Sequence, residues 1–298
     1  VSRQFTLRSG AMHAEITERA AALRVLRHGE RDLVTSWPAE GPIPYYSGTL
    51  LAPWPNRVGG ASYTFGGQTH RLVANEEDRG NALHGLVAQA GWEAVEWLAV
   101  EDEHGFVRLA QTIAPSPGYP FTLALQVLYS LTPGGLTTTL TAENIGDGPA
   151  PYGCGPHPWL LAGDSVEDYE LHLPATRVLL VDDRLLPRSL EDVSGTPYDF
   201  TAARAVGGTA VDHAFTGLVP DADGLVRVRV SGPDGGVEIS WDAAALPWAQ
   251  VCTGTGLGHR GLAVEPMTCP PDAFNSGTDL VVLQPGDKIE TSWTISAI

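Results

Sequence analysis

The sequence predicts an all-β protein: a large antiparallel β-sandwich with few short helices. Three observations carry that prediction. Apolar residues alternate with period two in run after run, turns rich in glycine and proline separate the runs, and no stretch of a dozen residues holds a helical period. The 34 Gly and 23 Pro among 298 residues supply enough turn-formers to close many hairpins. No linker or composition break interrupts the pattern, so a single domain over residues 1–298 is expected.

The hairpins follow in chain order. Tyr63-Thr64-Phe65 reaches Gly66-Gly67 and returns as Gln68 to Leu72. Leu123 to Val127 runs toward Pro133-Gly134-Gly135 and returns as Leu136 to Thr141. Val226 to Val230 turns through Gly232-Pro233-Asp234-Gly235-Gly236 into Val237 to Trp241. Glycine supplies the positive φ that such tight turns require. Residues 201–206 and 242–246 are the places for a short turn of helix each.

Charge narrows the partners. The 35 acidic and 18 basic residues give a net charge of −17, and Lys288 is the only lysine. So acidic a chain repels phosphate backbones and anionic lipid surfaces, so no nucleic acid and no membrane partner is expected. The uncharged stretch 109–142 is broken by Pro115, Pro117, Pro120 and Pro133, which rules out a membrane helix there. Three scattered cysteines, Cys154, Cys252 and Cys269, make no disulfide framework and favour a reducing compartment. The first ten residues lack the apolar run of a signal peptide. A cytoplasmic protein, monomer or weak homodimer, is the expectation.

Several motifs carry no chemistry. Gly256-Leu257-Gly258-His259-Arg260-Gly261 matches G-x-G-x-x-G, but Leu262-Ala263-Val264-Glu265 follows as a short strand stopped by Pro266, not as the helix a pyrophosphate needs. Cys154-x-x-His157 lacks a second tight ligand pair, so small buried thiols are favoured over zinc. Neither G-x-S-x-G nor H-E-x-x-H occurs.

Other residues invite function. In Gly153-Cys154-Gly155-Pro156-His157-Pro158-Trp159, two prolines stiffen the backbone around one imidazole and two glycines admit a close neighbour. A general acid needs such fixed placement; a structural histidine remains the alternative. Glu265 ends an apolar run and is fixed by Pro266, as a desolvated base or as the partner of an arginine. His84, before Gly85 and after the polar stretch 75–79, is a second candidate. His213 beside Asp212, and Arg57 after Pro53-Trp54-Pro55-Asn56, complete the set.

Five motifs together resemble the aldose 1-epimerase, or galactose mutarotase, family. They are Pro-Trp-Pro-Asn-Arg-Val at 53–58, Asn-Ala-Leu-His-Gly at 81–85, Gly-Pro-His-Pro-Trp at 155–159, Val-Asp-His-Ala-Phe at 211–215 and Glu-Pro-Met-Thr-Cys-Pro-Pro-Asp-Ala-Phe-Asn at 265–275. All stand in the family's order, from about residue 47 to the C-terminus. The resemblance implies a galactose mutarotase-like supersandwich with a sugar in a cleft on one face, and exchange of α and β anomers. It makes Glu265 the general base and His157 the general acid, with His84, Asp212, Arg57, Asn56 and Trp159 binding the sugar. It implies no metal and no organic cofactor.

The chemistry agrees with those residue types. Anomer exchange removes the proton of the C1 hydroxyl and gives one to the ring oxygen, so one base and one acid must converge. An ionised Glu with a protonated His suits ordinary pKa values near neutrality. The two are expected to face each other across a sugar-sized gap. Gly85-Leu86 after His84, and the prolines around His157, resemble a divergent bacterial branch that includes enzymes of unusual sugars, sulfoquinovose among them. Arg57, Arg71 and Arg79 are the candidates for a phosphate or sulfonate group. Two other readings use the same residues. A non-catalytic carbohydrate-binding protein would stack sugars on Trp54, Trp92, Trp159 and Trp248; a glycoside hydrolase would set Glu265 about 5–9 Å from Asp212.

Overall fold

A computed structural model describes residues 2–100 and 104–298. Among them, strands dominate and every paired strand is antiparallel. A nine-stranded sheet runs in spatial order Glu93–Val100, His104–Ile113, Leu123–Thr132, Gly135–Asn144, Lys288–Ala297, Gly235–Asp242, Leu225–Gly232, Glu170–His172 and Arg204–Ala205. A six-stranded sheet holds Trp159–Leu160, Leu262–Met267, Trp248–Cys252, Asp212–Leu218, Ala175–Val181 and Pro187–Asp192. Between them lies one apolar cluster, to which Val127, Leu140, Val228 and Ile239 contribute from the larger sheet and Val178, Phe215, Val251 and Val264 from the smaller. This is the sandwich that the alternation predicts.

Alternation explains the assignment strand by strand. Along Leu123–Thr132, residues 123, 125, 127, 129 and 131 are buried while their neighbours are less so, as a strand with one covered face requires. All three predicted hairpins form, with Phe65 paired to Gln68, Thr132 to Gly135 and Gly232 to Gly235. A further four-stranded sheet, Gln4–Asp32, precedes them.

Two local expectations change. Residues 201–206 hold a two-residue strand, Arg204–Ala205, paired with Glu170–Leu171. At 242–246 one helical hydrogen bond does form, from the Leu246 amide to the Asp242 carbonyl at 3.0 Å. The α-helix lies elsewhere, at Ala273–Ser276. Nor does Pro266 stop its strand, which continues to Met267 with Pro266 opposite Ala249. On its other side the backbone bonds come from residues 264 and 268, whose amides donate to the Pro158 carbonyl at 3.4 Å and the Cys154 carbonyl at 3.0 Å, with Pro266 between them giving none.

Candidate active site

The outer face of the six-stranded sheet carries the site. Gln250 stands opposite Glu265, and Asp212 opposite Cys252, on neighbouring strands. Cross-strand pairs share a face, and the next residues along, Val251 and Val264, point into the core. Farther along the same outer face, Leu179, Ala214, Trp248 and Met267 form a small apolar cluster of their own.

His157 is brought to Glu265 by backbone pairing. Its amide donates to the Thr49 carbonyl at 3.0 Å, and the Gly48 amide donates to its carbonyl at 2.8 Å. The flanking glycines admit the strand that bears Glu265. A Cβ on Gly155 would lie 2.5 Å from the Pro266 carbonyl oxygen, and one on Gly153 would lie 2.5 Å from Cys269 Sγ. His84 and Asn56 both take left-handed backbone conformations, φ 63° and 54°, and the His84 amide donates to the Asn56 carbonyl at 2.8 Å. Such strain outside glycine persists only where surrounding contacts enforce it, and it concentrates at functional sites.

A cavity of about 160 Å³ is the result, and all seven predicted residues line it: Glu265, His157, His84, Asp212, Arg57, Asn56 and Trp159. Tyr45, Tyr46, Gln250, Cys252 and Leu257 join them. A cavity of about 400 Å³ beside Glu30, Asp32 and Arg260 is larger, but no titratable group lining it is buried.

His157 Nε2 lies 3.3 Å from Glu265 Oε1. The expected sugar-wide gap between them is absent, because the two side chains are in direct contact. Both groups are nearly dry. Burial pushes the His157 imidazole down to about 3. Burial, reinforced by Asp212 and opposed by Arg57, pushes the Glu265 carboxyl well above its ordinary range. The ordinary-pKa argument for an ionised Glu beside a protonated His therefore fails here. Desolvation favours neutral imidazole and neutral carboxyl, a pair holding the same single proton as the ion pair would.

Burial and the neighbouring His157 and Arg57 also push His84 well below its ordinary value, leaving a neutral ring with one donor and one acceptor nitrogen. Gln250 Nε2 donates to Asp212 Oδ1 at 2.6 Å. Four buried polar atoms here, His84 Nδ1, His157 Nδ1, Gln250 Oε1 and Glu265 Oε2, have no protein partner. His213 turns elsewhere: its Nδ1 accepts from the Asp212 amide and its ring packs on Tyr198.

Trp159 backs the pocket without opening a face to it. Its side chain packs beside His157 with ring centroids 5.6 Å apart, and its indole N–H is donated to the Tyr45 carbonyl at 3.0 Å. Trp54, Trp92, Trp159 and Trp248 are each less than 5% exposed, so none offers the open platform that sugar stacking requires. Cys154 and Cys269 are the buried thiols expected, whereas Cys252 is half-buried in the pocket wall. The three candidate anion-binding arginines do not converge. Arg57 and Arg79 both pair with Glu76, and Arg71 lines a separate cavity of about 420 Å³ beside Trp54 and Leu86.

Sequence reasoning missed Tyr46 and Gln250. Tyr46 meets His84 edge-on at 4.5 Å and stacks on His157 at 6.2 Å. Its signal was the turn Pro44-Tyr45-Tyr46-Ser47-Gly48; that of Gln250 was a lone amide in an apolar run.

The aldose 1-epimerase family model matches residues 3–296. The chain belongs to the aldose 1-epimerase family. Membership makes it an isomerase of the epimerase type. Among relatives of the family, the uncharacterised protein YihR of Escherichia coli K12 is 38% identical over 284 residues, covering 94% of this chain and 89% of YihR. The maltose epimerase of Levilactobacillus brevis is 30% identical over 230 residues, covering 74% and 62%. Of solved folds, the galactose 1-epimerase of Lactobacillus acidophilus superposes with a TM-score of 0.83 at 20% identity, covering 99% of this chain and 95% of that one. A galactose mutarotase-like protein of Clostridium acetobutylicum gives 0.85 at 15%, covering 100% and 98%. In the glycine-rich loop 254–261 a strand follows, so the dinucleotide motif lacks its helix here.

Proposed function

We propose that the chain interconverts the α and β anomers of a hexose or related aldose by general acid–base ring opening, with Glu265 as base and His157 as acid. The observation that carries this reading is the 3.3 Å contact between them at the edge of a sugar-sized cavity. In the ion-pair form, Glu265 takes the proton of the C1 hydroxyl while His157 protonates the ring oxygen; the C1–ring oxygen bond breaks and an aldehyde forms. The enzyme is then in its neutral form, the one that burial favours. Rotation about C1–C2 and the reverse transfers close the ring on the other face and restore the ion pair. Proton transfer across the same contact links the two forms in the free enzyme. Burial thus stabilises the protonation state that accompanies the open-chain sugar.

Arg57, Asn56, His84 and Asp212 bind the hydroxyls, and Trp159 fixes the His157 ring from behind. The same reading takes residues 1–298 as one cytoplasmic domain, monomer or weak homodimer, with no cofactor in the chemistry.

Anomer exchange of freshly dissolved α-glucose, α-galactose and maltose, with phosphorylated and sulfonated hexoses as further arms, tests this by polarimetry or NMR saturation transfer. At least one sugar is accelerated, and Glu265→Gln loses about 10²–10⁴ of that rate. No acceleration of any sugar, or an unimpaired Glu265→Gln, overturns it.

A further inference from the structure

The polar stretch 75–79 sends one side chain toward the site. Glu76, in a turn on the surface, has a side chain only 11% exposed, and it grips Arg57 from outside the pocket lining. Arg57 Nε donates to both Glu76 oxygens, at 3.2 and 3.0 Å, and Nη2 donates to Oε1 at 3.0 Å. Nη1 donates to Asn56 Oδ1 at 3.2 Å. A guanidinium has five N–H groups. Nε and one N–H from each terminal nitrogen are thus committed, leaving one N–H on Nη1 and one on Nη2 for the pocket.

Glu76 is itself held. Asn81 Nδ2 donates to Glu76 Oε2 at 2.8 Å and to the Arg184 carbonyl at 3.0 Å. Arg184, in the turn between strands Ala175–Val181 and Pro187–Asp192, donates from Nε to the Arg79 carbonyl at 2.9 Å and from Nη2 to Asn81 Oδ1 at 3.2 Å. Asn81 is fully buried. Burial alone would raise the Glu76 carboxyl, but the hydrogen bonds and charge of Arg57 outweigh it and hold the group ionised.

We infer that Glu76 is a positioning residue for sugar binding, acting through Arg57; the inference rests on the epimerase reading. Asp212 Oδ2 lies 4.0 Å from Arg57 Nη2 on the pocket side. The guanidinium therefore sits between two carboxylates, and the two-pronged grip of Glu76 keeps it from closing onto Asp212. Without the Glu76 charge, the arginine turns to Asp212 and both groups are lost to the sugar. Hydroxyl contacts of this kind serve ground and transition states alike, so their loss raises KM more than it lowers kcat.

The test is a kinetic cycle with Glu76→Gln, Arg57→Ala and the double variant, using whichever sugar the wild type turns over. Glu76→Gln raises KM by about ten- to a hundredfold, the scale on which a misplaced positioning group acts, and leaves kcat within about threefold. In the Arg57→Ala background the same substitution changes KM by less than about twofold, because its target is gone. Arg184→Ala, an exposed substitution that spares the fold, raises KM in the same sense by a smaller factor. An unchanged KM in Glu76→Gln, or effects that multiply in the double variant, overturns the inference. A loss of kcat and melting temperature with KM intact shows a structural role and overturns it too. Sugar binding by tryptophan fluorescence runs alongside. A wild type that binds sugar without turnover sinks the epimerase reading alone, since the Glu76 effect is then read in the dissociation constant.

Discussion

His157 Nε2 and Glu265 Oε1 lie 3.3 Å apart on adjoining backbone segments, both nearly excluded from water. On the proposed mechanism the pair holds one proton between its members, and its pH behaviour follows from its burial. Acid must add a second proton to an imidazole that burial pushes down to about 3. Base must strip the last proton from a carboxyl that burial pushes well above its ordinary range. Both limbs move outward from neutrality, so kcat/KM is flat through neutral pH and across the ordinary histidine range. A rate profile with a limb centred near 6.5, the unperturbed histidine value, contradicts this.

On the proposed mechanism the two groups exchange one proton, so removing either disables both. His157→Asn and Glu265→Gln each cost about 10²–10⁴ in rate, and the double variant is no worse than the more damaged single one. Stopped-flow polarimetry of the three variants decides it. Losses that multiply would show the groups working separately.

Cys252 gives a chemical handle on occupancy. It is the one thiol in the pocket wall, with Cys154 and Cys269 buried. Burial, with Asp212 adding to it, pushes its pKa up, so the reactive thiolate is scarce at neutral pH. A small maleimide therefore modifies the native protein slowly, at one position, and a bound sugar slows it further. Mass spectrometry reads both the site and the rate; equal rates with and without a saturating substrate count against the pocket.

Gly85 carries the conformational demand of the His84 loop. Its φ is +73°, and a Cβ there would sit 2.1 Å from the Ala52 carbonyl oxygen. Gly85→Ala destabilises the fold by about 2 kcal/mol or more and displaces His84. The melting temperature falls by roughly 4–8 °C, and KM rises in what remains folded. A variant with wild-type melting and KM would show that the loop yields freely.

Much of this was legible in the chain itself. Period-two alternation along 123–141 and 226–241, with glycine turns between, determined the hairpins and hence the sandwich, because a strand that covers one face must alternate. The stiff flanks of His157 and Glu265 pointed to those residues, and five motifs identified the family. What the sequence could not determine is the set of distances and the degree of burial. Strands far apart in the chain meet through register, as Asp212, Gln250 and Glu265 do, and no local pattern encodes that meeting. Tertiary structure alone decided that His157 and Glu265 touch and that burial favours the neutral form of each. It also placed Glu76, from an ordinary polar turn, behind Arg57, because a carboxylate is drawn to a buried guanidinium that offers it a two-pronged contact.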